Sequence, residues 1–147
     1  MAIDPDRVIS KIETITSNID KLKRFESISL QEYLSNEDWM DLSHLYMQLI
    51  FQAAIDANEH ILKEEFQVTA KSYQDTFIQM GDYGILSDDL VEIIADSAKL
   101  RNLLVHQYDK INYSILYGVI GKTLVDYPIY IGQITNYLET LEGEDNG

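Results

Sequence analysis

Apolar residues recur at intervals of three and four along almost the whole chain, the spacing of amphipathic helices. Val8, Ile12, Ile15, Ile19 and Leu22 form the first such stripe, and Pro5 favours a helix start just ahead of it. The pattern predicts a first helix from Pro5 to about Phe25, a connection around Ser27–Ser29 and a short helical piece near Tyr33. Ser35 or Asn36 then caps a second helix whose first turn carries acids. Its predicted inward face is Leu42, Leu45, Tyr46, Leu49, Ala53, Ala57 and His60, with His44 on the polar side. A less regular stretch from Lys63 leads to a shorter helix over Tyr73–Met80, and Gly81-Asp82-Tyr83-Gly84 breaks the chain.

Ser87 ahead of Asp88 and Asp89 is a further N-cap signal and predicts a helix from Asp88 to about Leu104. The last periodic segment runs from Asn112 to Leu141, and Pro128 inside it is expected to kink or split it. The polar tail from Glu142 to Gly147 is expected to fray. No repeat, low-complexity tract or linker divides these elements. Together they predict one all-α domain over residues 1–147, a helical bundle of about five to six helices.

Composition narrows this picture. At 147 residues, 46% of them hydrophobic, the chain can bury one full core. The lack of cysteine excludes a disulfide framework and any thiolate zinc site, and agrees with a reducing cytosol. No basic start and apolar run marks a signal peptide, and no apolar run approaches the roughly 20 residues that span a bilayer. The expectation is a soluble, cytoplasmic protein without membrane contact. Eleven basic against 25 acidic residues give a net charge of −14, which argues against nonspecific nucleic-acid binding. It leaves room for a small local positive site or a basic partner.

Candidate chemistry concentrates in Arg101-Asn102-Leu103-Leu104-Val105-His106-Gln107-Tyr108. Arg101 interrupts the predicted apolar face of Leu90, Ile93, Ile94, Ser97, Leu100, Leu104 and Val105, where an unpaired cation is costly. Asp56 occupies a similar place in the stripe of the second helix. One reading is therefore a buried Asp56–Arg101 ion pair with a structural role. The other is that Arg101 lines a cleft or interface and uses its fork of donors on a phosphate. On a continuous helix Arg101 and His106 lie roughly 140° apart, whereas Asn102 and His106 share a face, as do Arg101 and Tyr108. Uniting Arg101 with His106 requires the helix to end near Leu104 or a second chain to complete the site. Asp56 and His60 could form half of a metal site, but no further ligands recommend themselves.

The segment Arg101-Asn102-x-Leu104-Val105-His106-x-Tyr108 resembles the signature of HEPN-domain proteins of the HepT toxin type. Ile55-Asp56-Ala57 with His60-Ile61 is similar to the acidic site in that family's long second helix. Ser72-Tyr73 with Phe77, then Gly84-Ile85-Leu86-Ser87, resembles the segment leading into its motif helix. The resemblance implies a homodimeric, metal-independent endoribonuclease without cofactors, acting as the toxin of a toxin–antitoxin pair. His106 would be the general acid or base, Arg101 the phosphate ligand, and Asn102 a donor to the phosphate or an orienter of His106. Asp56 would support them. The substrate would be RNA (a tRNA or an mRNA) rather than DNA, and the products a 2′,3′-cyclic phosphate and a 5′-hydroxyl. The resemblance also implies a partner, a minimal nucleotidyltransferase (MNT) antitoxin that transfers AMP to Tyr108. Two alternatives stay open: a non-catalytic HEPN dimer that binds a nucleotide or the partner enzyme, and a purely structural helical protein.

Overall fold

A computed structural model of the chain describes residues 3–146; the side chains of Tyr108, Asp145 and Asn146 lie outside the described set. Every element among the described residues is helical. Helix α1 (Pro5–Leu22) starts where Asp4 accepts the amides of Asp6 and Arg7 and Pro5 needs no acceptor. It tightens into a 3₁₀ turn over Lys23–Ser27 that buries Phe25. A capping box between Ser29 and Glu32 opens the short helix α2 (Leu30–Leu34). Asn36 caps α3 (Glu37–Phe66), which ends on Gln67 in the left-handed region, φ 56°. Helix α4 (Tyr73–Asp82) is capped by Ser72, and Gly84, at φ 76°, turns the chain into the Ser87 cap of α5 (Asp88–Ile94). Helix α6 (Ser97–His106) and a 3₁₀ turn over Tyr108–Lys110 precede α7 (Tyr113–Asn146), where Asn112 accepts the amides of Ser114 and Ile115.

Helix α3 is the spine of this all-α bundle: α1, α4 and α6 pack on it, and α7 closes the remaining side against α1, α2 and α5. Its thirty residues are therefore buried on several sides, and one amphipathic stripe does not describe them. Leu45 and Leu49, predicted inward, are 46% and 40% exposed, while His44, predicted outward, is buried. Around α3 sits a group of tyrosines. Tyr130 donates to the Ala54 carbonyl and approaches Asn58 Oδ1 at 2.7 Å, and Tyr33 shares a 2.7 Å hydrogen bond with Ser43. The rings of Phe51, Tyr127 and Tyr130 pack in sequence, centroids 5.6–5.8 Å apart.

The expected Asp88–Leu104 helix is two helices, which brings the α-helical segments among the described residues to seven. The break falls at Ala95 and Asp96, not near Leu104. Both residues keep right-handed helical angles, and the Ala98 amide reaches back only three residues, to the Ala95 carbonyl. This re-registers the rod without glycine or proline, and it leaves Ile93 43% exposed beside a buried Ile94. Pro128 neither splits nor ends α7. It lies on the exposed side, and the helix runs through it. The helix also continues through Glu142, Gly143 and Glu144, past the expected end at Leu141.

Burial pushes the Tyr33 hydroxyl up to about 12 from its ordinary 10.0, and the Tyr137 hydroxyl likewise to about 12. Their neutral forms are thus favoured in the fold, while the unfolded chain ionises them near 10.0. The corresponding stability is intact below pH 10.0 and is lost as pH rises from there through about 12. Urea midpoints measured upward from pH 10.0 should fall progressively, and Tyr33→Phe should flatten part of that fall. A midpoint independent of alkaline pH would contradict the assignment.

Candidate active site on α6

Helix α6 is clamped to α3 at two points. His44 Nε2 lies 2.8 Å from the Leu104 carbonyl oxygen in a buried contact. A carbonyl only accepts, so the imidazole carries its proton on Nε2. Leu104 belongs to the last turn of α6, whose carbonyls have no acceptor role left inside the helix. One turn earlier, Arg101 Nε donates to Gln52 Oε1 at 2.5 Å, and its guanidinium carbon sits 5.1 Å from the centre of the Tyr73 ring.

Arg101 does not pair directly with Asp56. Gln52 stands between them: its Oε1 accepts from Arg101 and its Nε2 donates to Asp56 Oδ1 at 2.8 Å. The Asp56 carboxylate is neutralised from the other side by Lys11, 3.3 Å away. The expected core ion pair is thus a relay, Arg101–Gln52–Asp56–Lys11, with its acid and lysine about one-third exposed. A side-chain amide can accept from a cation and donate to an anion at once, which neither charged residue can do. Asp56 opens onto a polar groove of about 360 Å³ between α1 and α3, shared with Arg7, Lys11, Glu59, His60, Lys63 and Glu64. Burial, reinforced by the Asp56 charge, raises the Glu59 carboxyl above its usual range. His60 does not join Asp56 as a ligand pair; its Nε2 accepts the Asp4 amide at 3.1 Å.

The motif residues divide between two sides of α6. Arg101 is half-buried and turned toward α3 and α4. Asn102 and His106 are exposed and line an open concavity of about 510 Å³ with Lys99, Leu103 and Gln107. The helix is continuous through His106, so an early helix end does not unite Arg101 with His106. Asn102 links the two sides, because its Oδ1 accepts from Arg101 Nη1 at 3.1 Å. The chain leaves α6 at Gln107, φ −126° and ψ 36°, and the backbone of Tyr108 begins the next turn. The side chain of Tyr108, the expected modification site, lies outside the described residues.

A sequence profile described as ribonuclease HepT-like matches residues 15–134. The chain belongs to the HepT-like ribonuclease family. It is 42% identical to the tRNA nuclease HepT of Aphanizomenon flos-aquae over 98% of both chains. It is 26% identical to the mRNA nuclease HepT of Shewanella oneidensis over 88% of this chain and 96% of that one. Its fold superposes with a TM-score of 0.80 on the tri-AMPylated Shewanella oneidensis HEPN toxin in complex with MNT antitoxin. That likeness, at 25% identity, covers 89% of this chain and 98% of the other. The cytosolic protein of unknown function YutE from Bacillus subtilis shares the fold at a TM-score of 0.82 and 17% identity, over 95% of this chain and 93% of that one.

Three residues that hold the site escaped the reading of spacing. Gln52 and His44 look like ordinary polar positions of a long helix, and nothing local in the sequence points to α6. Tyr73 was visible only as part of the family resemblance. Gln52→Leu leaves Arg101 without its Nε acceptor and should cost about 1–3 kcal/mol in urea denaturation. Asp56→Asn touches a one-third-exposed pair and should cost about 0–1 kcal/mol. Equal losses would restore an ion-pair account of the relay.

Proposed function

We propose that this chain is a single HEPN domain serving as the toxin of a type VII-like toxin–antitoxin system, an endoribonuclease that cuts RNA at the α6 groove in the cytoplasm. The carrying observation is Asn102, which is hydrogen-bonded to Arg101 and lines the same concavity as His106. The nuclease names of the two relatives support the same reading. The lining of that concavity includes no acid, so a phosphate can approach it in an otherwise acidic chain.

His106 takes the proton of a ribose 2′-hydroxyl as its oxygen attacks the adjacent phosphorus. The bond from phosphorus to the 5′-oxygen breaks, and that oxygen leaves as a hydroxyl by taking the proton that His106 accepted. A 2′,3′-cyclic phosphate remains on the other fragment. Arg101 stabilises the charge gathering on the phosphate oxygens. Gln52, Asn102 and the Tyr73 ring hold the guanidinium before substrate arrives, and the remaining donors of its fork serve the anion. Acid, base and cation all come from side chains, so the route is metal-independent. DNA lacks the attacking hydroxyl. A homodimer places a second motif, with its own histidine, across the cleft.

Tyr108 is the off-switch. The partner is an MNT nucleotidyltransferase, in keeping with the AMPylated toxin seen with MNT antitoxin in the Shewanella complex. The tyrosine oxygen attacks the α-phosphorus of ATP, pyrophosphate leaves, and the tyrosine proton passes to solvent. Each AMP adds bulk and negative charge two residues from His106, blocking RNA and competing for Arg101.

His106→Ala should lower RNA cleavage in the presence of EDTA by about 10²–10⁴-fold. Its circular dichroism should not change, because the side chain is exposed. Cleavage equal to wild type would favour the non-catalytic HEPN dimer. For Tyr108, incubation with the transferase, ATP and Mg²⁺ should add AMP-sized increments to the intact mass. Increments that persist in Tyr108→Phe would remove that residue from the account.

A further inference from the structure

Among the described residues Arg101 reaches no carboxylate, although the chain carries 25 acids against 11 bases. Its side-chain partners are the neutral Gln52 and Asn102 and the Tyr73 ring. A guanidinium holds a carboxylate more strongly than an amide, because those bonds are charge-assisted and form in pairs. The competitor at hand is Asp56, one turn along the same face of α3 from Gln52 and joined to it at 2.8 Å. One turn is about 5.4 Å, a distance that the flexible stem of an arginine can cover. Something must therefore keep Asp56 from displacing Gln52.

Lys11 is the group placed to do so. Its Nζ lies 3.3 Å from Asp56 Oδ2 while Gln52 donates to Oδ1, so each carboxylate oxygen has a donor and the charge is met from α1. The pair is about one-third exposed, where an ion pair contributes little to stability. What it decides is where the carboxylate points. Arg7 and Lys63 line the same groove, but among the described residues neither lies within ion-pairing distance of an acid. Without Lys11, Oδ2 loses its donor, and an uncompensated carboxylate stands one amide away from a guanidinium. Asp56 then takes Arg101 as a bidentate pair and cancels its charge. We propose that Lys11 is a positioning residue: it holds Asp56 on the α1 side of the relay and so keeps Arg101 seated on Gln52, with its charge free for a phosphate. The phosphate rests on the nuclease reading; the seat of Arg101 does not.

The test is made in chains that carry Arg7→Met, so that the other α1 cation of the groove cannot stand in for Lys11. Lys11→Met should shift the Arg101 Nε–H signal in proton–nitrogen correlation spectra, as its acceptor changes from amide to carboxylate. Arg101→Lys, which lacks that signal, assigns it. Lys11→Met should also lower kcat/KM for cleavage of a tRNA transcript in EDTA by about tenfold. Adding Asp56→Asn removes the competitor. It should return the signal to its place and recover most of the lost cleavage, whereas a merely structural lysine predicts two losses that add. A signal indifferent to Lys11→Met, or one that Asp56→Asn leaves shifted, overturns the proposal. So does cleavage that Lys11→Met leaves unaffected in a chain that cuts RNA. A chain that cuts no RNA while its Arg101 signal follows this cycle loses the nuclease reading and keeps the role of Lys11.

Discussion

The face that α6 presents depends on how that helix is fastened to α3. The buried contact of His44 with the Leu104 carbonyl fixes its last turn, and the Gln52–Arg101 bond fixes the turn before. Rotating α6 by one residue, about 100°, would break both bonds and turn Asn102 and His106 toward a different side of the bundle. The clamp costs little desolvation. His44 gives a carbonyl at a helix end the partner it would otherwise lack, and Gln52 meets a guanidinium with a neutral amide.

The same fastening explains how Arg101 occupies an apolar face. A buried Asp–Arg pair would cancel the positive charge that a phosphate needs, and desolvating it would oppose folding. A glutamine acceptor orients the fork without neutralising it. Asp56 acts one step further away, polarising Gln52, while its own charge is met by Lys11 in a half-open groove. The guanidinium is thus held by a hydrogen bond, an adjacent asparagine and an aromatic ring, and it keeps its full charge.

Helix starts were legible where one local residue signals them: Pro5, Asn36 and Ser87 each mark a helix that begins where the pattern expects it. The family was legible in eight consecutive residues. Less visible was anything decided by neighbours distant in sequence. Leu45, Leu49 and His44 exchange their expected places because α3 is packed by several helices at once, and no single stripe encodes that. The Ala95–Asp96 break leaves no glycine or proline signal, because both residues stay in helical backbone space. Gln52 was invisible for a related reason. A glutamine on a helix declares its acceptor only when a cation arrives from another element.

Net charge alone misjudges this molecule. A chain at −14 repels RNA at long range, but at physiological salt that field decays over about 8 Å. What matters at contact is the local lining, and Lys99, Asn102, Leu103, His106 and Gln107 include no acid. If RNA binds at this lining, as proposed, so few cations meet its phosphates that counterion release contributes little to affinity. Selectivity must then come from the shape of the bound RNA and from the groups that surround its scissile phosphate. In a strongly acidic chain, places without acids are where contact with another polyanion is permitted.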